Sequence, residues 1–233
     1  MPHFTLHSVA KGANGWTVDF VLKALNLDYT TKWYDLSPEV NEQKSPEYLK
    51  LNPNGRLPAL VDHENGDFVI WETKAILLYL VEKYDTQRTL TVGRGVEEQA
   101  ELLQWLFFQA SGQGPYFGQV SHFLWAAPEK IPYGLERYQN EILRVYGVLE
   151  RVLQQREEGK RWLVGGKCTI ADLSFITWNK FAPEFLLPPN VDFAEQFPTV
   201  AAWQAEMIAL PYVEATYRVI GEEFAKLAAA EGK

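Results

Sequence analysis

Three short stretches carry residue types that could do chemistry together. The first is "GANG", residues 12–15, between an alternating segment and an apolar-periodic one. Asn14 offers an amide donor at the mouth of a strand–turn–helix, where unpaired helix amides attract anions. It can donate to a thiolate but cannot act as a base. Asn is equally favoured there as a plain turn residue, because it tolerates tight geometry. The second stretch is "NGRLPAL", 54–60, in which Pro58 opens a strand and cannot donate to its ladder. A cis proline in that position leaves the amide and carbonyl of Leu57 to pair with an extended peptide, whereas an ordinary loop-to-strand proline has no such role. The third is "WETKAIL", 71–77, at a strand-to-helix junction. Thr73 could receive a carboxylate on its amide and hydroxyl, and Glu72 could hold an ammonium. The same pair also reads as a helix cap with a first-turn acid.

Taken together, the three stretches describe one ligand. An amino-acid end with both charges meets Glu72 and Thr73, a peptide backbone meets Leu57, and a thiol falls near Asn14. That is a γ-glutamyl tripeptide. A free thiol ionises near pH ~8.5, so such a site must favour the thiolate by donors and dipoles.

The elements that would position these residues follow from hydrophobic period. "HFTLHSV" places Phe4 and Leu6 on one face of a strand. Val18, Val21, Leu22 and Leu25 recur at helical spacing, and "YTTKWYDL" is a second strand rich in β-branched and aromatic residues. Residues 37–56 are polar and Pro-punctuated, a loop with a short helix. Two strand patterns flank Asn65-Gly66, the strongest short hairpin signal. "TKAILLYLVEKY" is a helix with Ile76, Tyr79, Leu80 and Lys83 on one face. The order β-α-β, connection, β-β-α is the thioredoxin-like plan, with the first two strands parallel.

The remainder reads as all helix. The expected organisation is a thioredoxin-like domain over 1–85, a linker over 86–95 and an all-helical domain over 96–233, an α/β plus all-α chain. A break or kink is expected around Gly112, Gly114 and Pro115. Ile142, Tyr146, Leu149, Val152 and Leu153 form one apolar stripe. Thr169 with Asp172 three residues on is a capping-box pattern, so Asp172 is read as structural rather than catalytic. Cys168 is expected to be a small buried hydrophobe rather than a redox centre.

Composition excludes several classes. The net charge of −8 argues against nucleic acid. One cysteine and four scattered histidines supply no disulfide framework and no metal-ligand spacing, so no metal is expected. No signal-peptide pattern and no apolar run near ~20 residues is present, which points to a cytoplasmic protein away from membranes.

"NPNGRLPAL", "ETKAILLYLVEKY" and "LVGGKCTIADLSF" resemble the soluble glutathione transferases, and the likeness runs along essentially the whole chain. "NGW" after strand one, "WLFFQASGQGPYFGQVSHF" and "IPYGLERYQNEILRVYGVLE" resemble the nu-class bacterial enzymes and the fungal proteins related to yeast's nitrogen regulator. The resemblance implies glutathione as co-substrate, with contacts at Asn14 (facing sulfur), Gln43, Leu57 beside Pro58, Glu72 and Thr73. It adds Lys44 and Arg56 near the glycine end, and Arg137 reaching across a homodimer. It implies walls for a second substrate at Tyr116, Phe117 and His122, with Trp105 in the core. The second substrate would be an electrophile, a disulfide or a hydroperoxide. The alternatives are a regulatory binding protein of the nitrogen-regulator type and a carrier of hydrophobic compounds. The sequence departs from the pattern at Gly12, where some relatives place a thiol-contacting Thr, at Ala13 in place of Pro, and at Thr73 in place of Ser. It also enters strand one without the regulator's Asn/Gln-rich extension.

Overall fold

Alternating apolar residues make β1 (Phe4–Ser8), which leads through a short turn into α1 (Ala13–Ala24) and β2 (Tyr29–Trp33). A one-turn 3-10 segment, Glu42–Lys44, and α2 (Pro46–Leu51) follow, then β3 (Ala59–Asp62), β4 (Phe68–Trp71) and α3 (Thr73–Lys83). The computed structural model describes residues 2–156 and 161–231. The sheet order is β2-β1-β3-β4. β1 and β2 run parallel, as a helical crossover requires, and the other pairs run antiparallel. The Leu57–Pro58 bond is cis.

Leu6, Val18, Val21, Leu22, Ile76, Leu77 and Leu80 are all about fully buried, so one face of the sheet packs on α1 and α3. Each such side chain contributes roughly 1.5–3 kcal/mol of burial. The hairpin differs from the expected two-residue turn. Residues His63–Asn65 form a 3-10 turn, and the left-handed positions are Gly66 and Asp67 rather than Asn65. Tyr79 and Lys83 share a helical face because both reach the buried carboxylate of Asp62, at 2.5 and 3.3 Å.

Two compact units result, Met1–Gln87 with Ala209–Lys233, and Arg88–Ile208. The expectation of one helical domain through residue 233 differs here. α11 (Pro211–Glu231) belongs with the first unit because it packs on α1. Thr216 Oγ1 and the Tyr29 hydroxyl each donate to Asp19 at 2.5 Å, and Lys23 pairs with the same carboxylate. The Tyr217 ring meets Trp16 and Phe20 edge-on.

The second unit contains α4 (Val96–Phe108), α5 (Gly114–Ser121), α6 (Pro132–Gln154), α7 (Ile170–Leu173), α8 (Ile176–Phe185), α9 (Phe193–Gln196) and α10 (Pro198–Ile208). The interruption expected around Gly112, Gly114 and Pro115 takes the form of a widened π turn, Gln109–Gln113, and a second one spans His122–Ala126. A wider turn accommodates the missing proline amide without ending the helix. Gln109 donates to Gln113, which donates to Asn179, at 3.0 and 2.7 Å, all three buried. The α6 stripe buries Ile142, Tyr146, Leu149 and Leu153, while Val152 lies at its half-buried margin.

The capping box forms as read. Asp172 accepts from the Thr169 amide and hydroxyl, from the Leu163 amide and from the Trp203 indole. Burial pushes its carboxyl up to about 6 against those donors. Cys168 differs from expectation. It is half-buried, because it precedes the cap and follows the exposed Gly165–Lys167 segment.

Candidate active site

Strand register brings the three chemical stretches to one edge of the sheet. His7 of β1 pairs with Ala59 of β3, and Ala59 pairs with Trp71 of β4. The turn into α1, the Leu57–Pro58 step and the turn into α3 therefore stand in a row. Strands lie ~4.8 Å apart, so the row is about 10 Å long.

Two helices open on this edge. Neither α1, preceded by Gly12, nor α3, preceded by Glu72, has a side-chain cap, in contrast to α2 with Ser45 and α7 with Thr169. Their first amides and positive dipole ends face the row. Asn14 is the second residue of α1 and is exposed. The Trp16 indole donates to the Ala10 carbonyl at 3.1 Å and pins the turn before it. Gly15 is required there, since a Cβ would lie 1.9 Å from Ser8 Oγ.

Glu72 is exposed and holds φ 72° and ψ 115°. That combination lies outside the left-handed well and is an outlier for a residue with a Cβ. Thr73 begins α3 and is 8% exposed. Burial lowers the Lys74 ammonium to about 7 while the Glu72 carboxylate opposes the shift.

Gln43 lies in the 3-10 turn and donates to Asn41 at 2.6 Å, while its Oε1 is buried without a hydrogen-bond partner among the described residues. Lys44 donates to the Asn54 carbonyl at 3.2 Å. Arg56 is exposed, and its carbonyl accepts from Tyr48 and Asn52. Sequence reasoning passed over Tyr48, Asn52 and Trp16. For Asn52, the Asn-Pro dipeptide at 52–53 is a turn signal that could have drawn notice.

Arg137, Tyr116, Phe117 and His122 belong to the second unit. Arg137 is exposed on α6, and His122 is exposed at the start of the second π turn. Tyr116 is half-buried, with the Arg144 guanidinium 6.0 Å from its ring. Phe117 corrects the expectation of a pocket wall. It is fully buried against Tyr146 and Trp178, because it occupies the inward face of α5, and it serves as core. Trp105 is buried, as expected.

The sheet order and the edge site define the class, a thioredoxin-like α/β unit with an all-helical unit inserted in the chain. The chain belongs to the glutathione S-transferase family. Residues 2–82 match the model "Glutathione S-transferase, N-terminal domain" and residues 129–211 match "Glutathione S-transferase, C-terminal domain". Glutathione S-transferase 2 of Schizosaccharomyces pombe is 47% identical, covering 97% of this chain and 98% of that protein. URE2 of Candida glabrata is 36% identical over 91% of this chain and 67% of its own length. Among solved structures, the glutathione transferase URE2P8 from Phanerochaete chrysosporium with oxidized glutathione superposes with a TM-score of 0.90 at 46% identity, covering 97% and 98% of the two chains. URE2P5 of the same fungus, cocrystallized with 1-(S-glutathionyl)-2,4-dinitrobenzene, gives 0.87 at 45% identity, covering 97% of each.

Proposed function

We propose that this enzyme binds glutathione along the sheet edge and presents its sulfur as a thiolate to a second substrate. One observation carries the reading, the single row formed by the α1 turn, Leu57–Pro58 and the α3 turn. The γ-glutamyl carboxylate meets the Thr73 amide and hydroxyl, and the ammonium meets Glu72. The cysteinyl backbone pairs with Leu57. Gln43, Lys44 and Arg56 serve the glycine end, and Arg137 approaches from a partner copy in a homodimer.

Asn14 and the first α1 amides donate to the sulfur and lower its pKa. With an electrophile, the thiolate forms a carbon–sulfur bond and the leaving group departs with the displaced electron pair. With a disulfide, it forms a mixed disulfide and expels one thiolate; a second glutathione then resolves it as glutathione disulfide. The oxidized glutathione and the dinitrobenzene conjugate held by the Phanerochaete relatives support both branches. Tyr116 and His122 are the proposed walls for the second substrate.

The test is a pH titration of the ultraviolet thiolate absorbance of bound glutathione. Asn14→Ala should raise the bound thiol's pKa by about one unit, the effect of a single charge-assisted donor. An unchanged midpoint would remove Asn14 from the mechanism.

A further inference from the structure

The loop before Pro58 is held by two buried side chains that share one backbone acceptor. The Tyr48 hydroxyl donates to the Arg56 carbonyl at 2.6 Å, and Asn52 Nδ2 donates to the same oxygen at 2.7 Å. Both residues are buried, at 1% and 2% exposure. We propose that Tyr48 and Asn52 are positioning residues for glutathione, aiming the Leu57 amide by fixing the Arg56 carbonyl. The proposal rests on the reading of Leu57 as a glutathione contact.

The link is covalent geometry. The Arg56 carbonyl and the Leu57 amide belong to one planar peptide unit. That unit is trans, since the cis bond lies one residue later. A carbonyl oxygen has two lone pairs, and here each has its own donor. With the oxygen held toward Tyr48, the Leu57 N–H is directed the opposite way.

The clamp is itself well seated. Ser45 caps the Tyr48 amide at 3.2 Å, and Asn52 Oδ1 accepts from the Asn54 amide at 3.0 Å. The Tyr48 ring packs edge-on against Tyr34, whose hydroxyl bonds His7 Nδ1 at 2.8 Å. Burial raises the Tyr48 phenol and lowers His7 to about 4, so the box keeps its protons in place across the neutral range. Gly55, at φ 59°, closes the loop where an added Cβ would strike Gln43 and Lys44.

Tyr48→Phe keeps the ring in the core and removes only the hydroxyl; Asn52→Ala removes the second donor. The experiment combines amide hydrogen exchange at Leu57, thermal unfolding, and KM and kcat for glutathione in each variant and the double variant. Each single change should speed Leu57 exchange and raise KM for glutathione about three- to tenfold, the worth of one hydrogen bond. kcat should stay within about twofold, since neither group touches the sulfur. The double variant should exceed the product of the singles, because either donor alone still restrains the oxygen. Unchanged exchange at Leu57, or a fall in kcat at constant KM, overturns the clamp. Adding glutathione to the unaltered protein should slow exchange at Leu57. If it does not, the ligand contact at Leu57 fails, and faster exchange in Tyr48→Phe would then mark a purely structural loop.

Discussion

Replacing Glu72 by glycine should make the protein more stable and the enzyme worse. Glu72 sits at φ 72° and ψ 115°, a region that costs a residue with a Cβ about 1–3 kcal/mol. Glycine removes that cost but adds about 0.4–1 kcal/mol of unfolded-state entropy. The net gain is about 1 kcal/mol, or a rise in Tm of about 2–4 °C at this chain length. Against this stands the proposed ammonium contact. A hydrogen bond to a charged group contributes about 1.5–3 kcal/mol, and Glu72 is exposed, so the lower end applies. KM for glutathione should therefore rise about tenfold. Glu72→Gln separates the two effects, since it keeps the strained backbone and loses the charge. It should leave Tm unchanged and raise KM similarly. The assay is thermal unfolding without ligand beside steady-state kinetics with varied glutathione. A lower Tm for Glu72→Gly would refute the strain argument. An unchanged KM in both variants would refute the ligand assignment.

Two further predictions concern titrating groups in the two cores. Burial first, then the charges of Lys32 and His63, lowers His7 to about 4, below its ordinary 6.5. The unfolded chain then takes up the proton first, so this stability is complete above about 6.5 and is lost as pH falls toward 4. Between pH 6.5 and 5 the loss is about 2 kcal/mol, and His7→Gln should flatten that part of a denaturation-versus-pH curve; an unchanged slope would contradict it. Asp172 has the opposite sign, with a folded pKa near 6 against an ordinary 3.8. Its ionisation costs the native state, so stability falls as pH rises through 4 to 6. Asp172→Asn loses an acceptor for Thr169 and should lack that fall, so the stability difference between the two proteins should change by about 3 kcal/mol between pH 4 and 6. Equal pH profiles for the two proteins by chemical denaturation would count against the assignment.

What the sequence disclosed was mostly local. Alternation in residues 4–8, the 3.6 period of 18–25 and the Thr169–Asp172 spacing each report contacts within a few residues, and all formed as read. The edge row was legible for a related reason. A β-α-β-β order leaves few pairings, and those pairings bring Asn14, Leu57 and Glu72 to one side of the sheet. What stayed hidden depends on partners far along the chain. Phe117 lies in a stretch that looks like pocket lining, and only its packing with Trp178 makes it core. Pro115 announces an interrupted helix, but its form, a widened turn whose Gln113 bonds Asn179 across 66 residues, depends on that distant partner. Tyr48 carries no sequence signal for its hydroxyl, whose acceptor is a backbone oxygen eight residues on.

The bond from Thr216 to Asp19 joins groups 197 residues apart. It has a consequence for how the chain is made. During synthesis the first 87 residues emerge with the α1 surface uncovered, and they wait for the helical unit to pass before α11 arrives. Bringing together ends separated by 197 rather than 20 residues costs about 2 kcal/mol more in loop closure, unless the intervening unit has already folded and shortened the path. Early condensation of residues 88–208 would remove that cost, and the unit that emerges first would then be the last to be completed.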